Sequence, residues 1–216
     1  MDSYAKLLNG YAKFRDQYLA KENDIWRDWA KDGQNPKVMF IACSDSRVNP
    51  VILTHSGLGE IFIVNNVANL VPPYKKDDET YHGTSAAIEF AVTQLKVEHI
   101  IIMGHSGCGG IRALIADHDT DKDPEANFSF IRPWMKIVDE AAEFTATEKE
   151  NLPIDVLAAT CERRASLISL NNLMGFPWVH EALLAETLQV HAWHFDIGSG
   201  TIEAYNTDTE QFEDLV

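Results

Sequence analysis

The chain has 216 residues, enough for one large domain that buries well over half of its unfolded surface. Against 18 Lys and Arg stand 33 Asp and Glu, a formal charge of −15 that repels phosphate backbones and anionic lipid surfaces, so nucleic acid and membranes are excluded as partners. No run of about 18 apolar residues occurs, and "MDSYAKLLNGYAKFRDQY" lacks the charged start, apolar middle and small-residue cleavage site of a signal peptide, which reads as a soluble, cytoplasmic protein.

In chain order, residues 2–31 place Tyr4, Leu7, Leu8, Tyr11, Phe14 and Tyr18, then Ile25, Trp26 and Trp29, at helical spacing, which predicts two opening helices. "KVMFIAC" is an apolar run without helical period, as a buried parallel strand requires, and "EIFIVNN" and "EHIIIMG" have the same character. "TSAAIEFAVTQL" lies between the last two and "GGIRALIAD" follows them, both suited to helices. Strands alternating with helices predict crossover units and an α/β fold around a mostly parallel sheet. "DHDTDKDPE", from Asp117 to Glu125, is a solvated acidic connection; it lacks the turn glycine and closing glutamate of a calcium loop. "VLAATCERRASL" predicts a helix with Cys161 in the core. "QVHAWHFDI" and "GTIEAYN", joined through "GSG", predict an added antiparallel edge. With no repeat and no low-complexity linker, residues 1–216 read as one domain, a helical arm over 1–33 and an α/β core over 34–216.

The three cysteines are odd in number and widely spaced, which argues against a disulfide framework and for metal binding or catalysis. Two of them stand in informative stretches. "GHSGCGG" follows an apolar strand, and its loop glycines, Gly104, Gly107, Gly109 and Gly110, allow His105 and Cys108 to turn toward one centre. Alone, it is also an ordinary strand-to-helix turn. "IACSDSR" also ends an apolar strand, and the C-terminal ends of parallel strands share one rim, where ligands bind. Cys43, His105 and Cys108 then supply two thiolates and one imidazole, a donor set suited to zinc that leaves a fourth position open, as catalytic zinc sites do. Asp45 and Arg47, two residues apart, can pair as carboxylate and guanidinium, with a carboxylate oxygen left to accept from water at the open position. Ser44 and Ser46 read as turn residues.

At these residues the sequence resembles the β-class carbonic anhydrases. "GQNPKVMFIACSDSRV", "GEIFIVNNVANLVPP", "HGTSAAIEFAVTQLKVEHIIIMGHSGCGGI" and the final W-x-F-D-I strand pair follow that family in order and spacing over about residues 30–205. The resemblance implies zinc-dependent, reversible hydration of carbon dioxide to bicarbonate and a proton, with Zn2+ on Cys43, His105 and Cys108 and with Asp45 and Arg47 as an orienting dyad. It also implies that Gln34 donates a hydrogen bond to substrate, that Phe62, Val67 and Phe90 stand at pocket positions, and that the Gly109 N–H is a further donor. Assembly as a homodimer or a multiple of dimers is implied too, with the N-terminal helices clasping a partner subunit and the pocket at the interface.

The sequence departs from family patterns in two respects. Where a bicarbonate-inhibited subgroup carries a tryptophan, an arginine and a tyrosine for a regulatory anion, this chain has Phe40, Asn65 and Phe195; with Ala42 and Gln34, this favours the plant-type subgroup. Phe90 replaces a tyrosine common in that subgroup, which predicts weaker proton transfer. Two alternatives stay open from sequence: hydrolysis of carbonyl sulfide or carbon disulfide on the same zinc, and a non-catalytic zinc or anion-sensing module.

Overall fold

The segment Val38–Cys43 (β1) is apolar at every position, so it can only be stable with both faces covered. In the computed structural model, which describes residues 2–18, 30–76, 81–118, 130–144 and 146–216, it lies inside a six-stranded sheet. The other strands are Ile61–Asn66 (β2), His99–His105 (β3), Gln189–Phe195 (β4), Ile202–Asn206 (β5) and Gln211–Asp214 (β6), in the spatial order β2-β1-β3-β4-β5-β6. The first four in that order run parallel; β5 and β6 are antiparallel additions. The expected α/β architecture with an antiparallel edge is therefore present. One strand is added to it: β6, "QFED", has a single apolar residue, Phe212, so it lacks the alternation by which a strand is read.

The pleat of β1 divides the core. Met39 and Ile41 pack with Ile88, Val92, Phe176 and Val179 on one face, while Phe40 and Ala42 pack with Val48, Ile101, Met103 and Phe195 on the other. The helices that cover the sheet are Gly83–Phe90 (α2), Gly109–His118 (α3), Ile154–Met174 (α4) and Pro177–Leu184 (α5), numbered after an N-terminal helix, Ser3–Tyr18 (α1). α2 runs on through a widened turn, Ala91–Leu95, and ends at a left-handed Lys96. Asp117 and His118 belong to α3, and the rest of the acidic connection lies outside the described residues.

α4 packs against β3 and β4 with a face of Ala158, Cys161, Glu162, Ala165, Ser166 and Ser169. Cys161 is a buried core residue, as expected. These small side chains let backbones approach closely: a Cβ at Gly104 in β3 would stand 2.6 Å from Ser166 Oγ, so only glycine fits there. No helix among the described residues is long and apolar enough to cross a membrane.

Residues Met1–Asn35 and Pro36–Val216 form two compact units. In the first, α1 leaves Tyr4, Leu7, Leu8 and Tyr11 exposed, and Tyr11 and Phe14 stack at 6.5 Å between ring centroids. Ile25, Trp26 and Trp29, the apolar positions of the second expected helix, lie outside the described residues.

Candidate metal centre

Parallel pairing of β1 with β3 sets Ala42 opposite Met103, so the chain leaves both strands at one level, Cys43 ending β1 and His105 ending β3. The loop after β3 turns through Gly107, whose φ of +70° suits glycine, and delivers Cys108 to the start of α3. Gly109 and Gly110 have no such backbone requirement; a Cβ at Gly110 would instead crowd Val67 Cγ1 at 3.0 Å. The result is a cluster of Cys43, His105 and Cys108, all buried, with ligand atoms within 4.8 Å of one another. Tetrahedral zinc with bonds of about 2.3 Å to sulfur needs sulfurs about 3.8 Å apart, a span this cluster accommodates.

The donor chemistry fits such an ion. His105 Nδ1 lies 3.0 Å from the carbonyl of Ser106, which can only accept, so the proton resides on Nδ1 and Nε2 carries the lone pair. That Nε2 is buried and has no hydrogen-bond partner among the described residues, as the lone pair of a metal-ligating imidazole would. The Cys108 thiol holds Cys43 well below the usual thiol range, with help from His105 and from the amides of Asp45 and Ala68, against the opposing effect of burial. The same contact, with burial, pushes Cys108 up. Burial opposes protonation of His105, but the Cys43 thiolate outweighs it and the net shift is upward. A dication at this cluster would displace the thiol proton and meet two thiolates and a neutral imidazole.

A short turn after β2 supplies the Ala68 amide. Asn66 accepts from Leu70 N–H at 2.8 Å and donates to the Leu70 carbonyl at 2.9 Å, clamping residues 67–70. Within the clamp Ala68 and Asn69 take left-handed φ of +63° and +52°, and Trp134 Nε1 donates to the Val67 carbonyl at 2.8 Å. Non-glycine residues in this region carry strain of order 1 kcal/mol, held here because the surrounding bonds over-determine the turn.

Asp45 and Arg47 form a closed pair at the rim. Asp45 Oδ1 accepts from the Arg47 backbone N–H and from Nε, both at 2.9 Å, and Oδ2 accepts from Nη2 at 2.7 Å. The guanidinium holds the Asp45 carboxyl well below the usual carboxylate range. Arg47 Nη2 also donates to the Gly107 carbonyl at 3.3 Å, which ties the Cys43 loop to the His105 loop. Ser46 stands in the turn, and Ser44 N–H donates to the Asn66 carbonyl at 2.9 Å.

The chain and its fold have known counterparts. The family model for carbonic anhydrase matches residues 38–202. Beta carbonic anhydrase 3 of Arabidopsis thaliana is 34% identical over 209 residues, spanning 96% of this chain and 79% of that protein. The chain belongs to the β-carbonic anhydrase family. Among solved structures of the family, the β-carbonic anhydrase CcaA superposes with a TM-score of 0.88 at 29% identity, covering 99% of this chain and 92% of that one. A tetrameric β-carbonic anhydrase of Sordaria macrospora gives 0.79 at 26% identity, covering 94% and 97%.

In this β-carbonic anhydrase the remaining expected site residues are distributed unevenly. Val67 and Gly109 stand beside the cluster, in the clamped turn and at the start of α3. Phe62 pairs with Met39, four residues back from Cys43 and so about 13 Å along the strand, and packs against half-exposed Phe90 at 6.1 Å between centroids. Gln34 is exposed and belongs to the N-terminal unit. Phe40 and Phe195 are buried in one apolar cluster, and Asn65 Nδ2 donates to the Cys43 carbonyl at 2.9 Å.

Sequence reasoning missed the clamp at Asn66 and two buried polar residues behind the cluster, Glu162 and His194. Glu162 Oε1 accepts from Cys108 N–H at 3.0 Å, and Oε2 lies 3.2 Å from His194 Nε2. One signal was available: Glu162 falls on the same helical face as Ala158, Ala165 and Ser169, where a solvated glutamate does not belong.

Proposed function

We propose that the protein catalyses the reversible hydration of carbon dioxide to bicarbonate and a proton with a zinc ion held by Cys43, His105 and Cys108. The observation that carries this reading is the convergence of those three buried side chains at one sheet rim, beside an Asp45–Arg47 pair that bridges both loops. Held there, a zinc ion would supply Lewis acidity, enough to bring the pKa of a bound water to about 7.

The chain's own groups do the rest. Arg47 occupies both oxygens of Asp45, which keeps that carboxylate ionised and away from the fourth coordination position, while a remaining lone pair can accept a hydrogen bond and fix the nucleophile's orientation. The N–H of Gly109, at the start of α3, is a donor for the developing carboxylate oxygens, and Gln34 is a second. Val67 provides an apolar wall for a substrate without a net dipole. Phe62 and Phe90, paired with each other away from the Cys43 end of the strand, serve the pocket of a second copy in a dimer or a multiple of dimers. The exposed Tyr4, Leu7, Leu8 and Tyr11 of α1 are suited to clasping that copy, and the 1–33 arm and 34–216 core act as one functional domain. We assign the protein to the cytoplasm.

Stopped-flow hydration before and after zinc removal tests the reading. Activity should vanish with chelation and return with zinc; turnover that ignores the metal refutes it.

A further inference from the structure

We propose that Glu162 is a positioning residue for the zinc ligand Cys108, a buried bracket that fixes the metal loop to β4 through His194; this rests on the zinc reading above. Glu162 and His194 are among the few buried polar side chains of the core, at 3% and 1% exposure. A buried carboxylate is costly, and well-packed apolar residues of similar volume usually give equal or greater stability, so its presence asks for a reason beyond stability. The reason lies in its two contacts. Cys108 precedes the first residue of α3, so its N–H has no intrahelical partner, and Glu162 Oε1 supplies one at 3.0 Å. Oε2 reaches His194 Nε2 at 3.2 Å, and β4 pairs His194 with Gly104, next to His105. One side chain from α4 therefore braces both ends of the His-x-x-Cys loop.

Polar groups continue outward beside the bracket. His194 Nδ1 faces Glu203 Oε2 at 3.7 Å, beyond hydrogen-bond reach, and Glu203 is gripped by Arg163 through Nε at 3.0 Å and through Nη2. Arg163 is the neighbour of Glu162 on α4, so an ion pair ties α4 to β5 next to the bracket. Held through both of its oxygens, Glu162 resists following Cys108 if the loop shifts, as a positioning group requires.

The test separates position from charge. Holo parent, Glu162→Gln and Glu162→Asp are compared for zinc affinity by chelator competition and, after cobalt substitution, for the sulfur-to-cobalt charge-transfer band. Glutamine keeps the geometry, its carbonyl accepting from Cys108 and its amide donating to His194, so affinity should stay within about threefold of the parent. Aspartate keeps the charge but is one methylene too short to span both partners; zinc affinity should fall about 10–100-fold and the cobalt band should change. His194→Phe removes the far anchor while leaving Glu162 in place, and should weaken zinc about tenfold, which carries the test if the aspartate variant does not fold. Aspartate or phenylalanine variants within twofold of the parent overturn the proposal, as does a glutamine variant that loses as much as aspartate. A parent chain that holds no zinc overturns the zinc reading itself, whereas equal affinities among zinc-holding variants overturn only the role of Glu162.

Discussion

Gly104→Ala is the substitution whose effect can be worked most directly from the structure. The new Cβ would stand 2.6 Å from Ser166 Oγ, against about 3.4 Å for ordinary contact, so something must move by about 0.8 Å. Ser166 is fully buried, donates to the Glu162 carbonyl at 3.1 Å and accepts from Asn69 Nδ2 at 3.4 Å, so moving its hydroxyl strains two hydrogen bonds. At about 0.5–1.5 kcal/mol for each bond, the cost is about 1–3 kcal/mol, in the range seen for overpacked cores. For a chain of this size each kcal/mol moves Tm by about 2–4 °C, giving a fall of roughly 2–12 °C at fixed protein and zinc concentration. Ser166→Ala removes the clashing atom, so the double variant should be more stable than the sum of the singles by at least about 0.5 kcal/mol in a double-mutant cycle. Melting within 1 °C of the parent, or additive singles, would refute the close-approach argument. Because Gly104 adjoins His105 and Ser166 lies one turn beyond Glu162, the single variant should also hold zinc more weakly than the double.

Three further outcomes follow from the same geometry. Arg47→Lys keeps the charge but not the two-nitrogen grip on Asp45 or the reach to Gly107; turnover should drop about 10–100-fold with zinc content unchanged, and a lysine variant at half activity or more would contradict the proposed role. Cys161 is fully buried and pushed up to about 12 by burial first and Glu162 second, leaving about one thiolate in 10,000 at pH 8; peptide mapping after iodoacetamide treatment of the native holoprotein should find it unmodified, and rapid labelling would show that α4 opens. His191 is lowered by burial and by His99, whose Nδ1 is 3.2 Å from its Nε2, so below about pH 6.5 the unfolded chain binds more protons than the folded one and stability falls with pH. His191→Gln should flatten the urea midpoint between pH 7.5 and 5, and parallel slopes would sink the assignment.

The parts of the molecule legible in the sequence are those with a local signature. β1 and β3 each carry an unbroken apolar run, and a parallel sheet converts the ends of such runs into one rim, so the convergence of Cys43, His105 and Cys108 is written in the local sequence. The Asp45–Arg47 pair is equally local, since its bonds span two residues. What stayed hidden depends on partners remote in the chain. Glu162 reads as one charge in "CERRAS", and only the pairing of β3 with β4 and the packing of α4 over both turn it inward toward Cys108 and His194. The left-handed Ala68 was hidden for a different reason: alanine gives no hint of positive φ, which is imposed by the Asn66 clamp and by Trp134 from a separate helix.

On the proposed reading, the departures from the family pattern and the state of the rim pair have one physical origin. For Asp45 to leave Arg47 and take the fourth position, three hydrogen bonds must break, and the guanidinium would keep only the Gly107 carbonyl. An anion bound nearby could compensate that loss, provided the chain offered donors or charge to hold it. The three positions concerned offer no charge: Phe40 and Phe195 are buried against Val48, Ile101 and Met103, Phe40 and Trp193 meet edge to face at 5.6 Å between centroids, and the Asn65 amide spends one of its two N–H groups on the Cys43 carbonyl. Nothing at these positions competes with Asp45 for Arg47, and the Asn65 bond further steadies the backbone of the first zinc ligand. A site that elsewhere would carry an anion switch is here filled by core packing, which favours the closed Asp45–Arg47 pair and keeps the coordination position free for water.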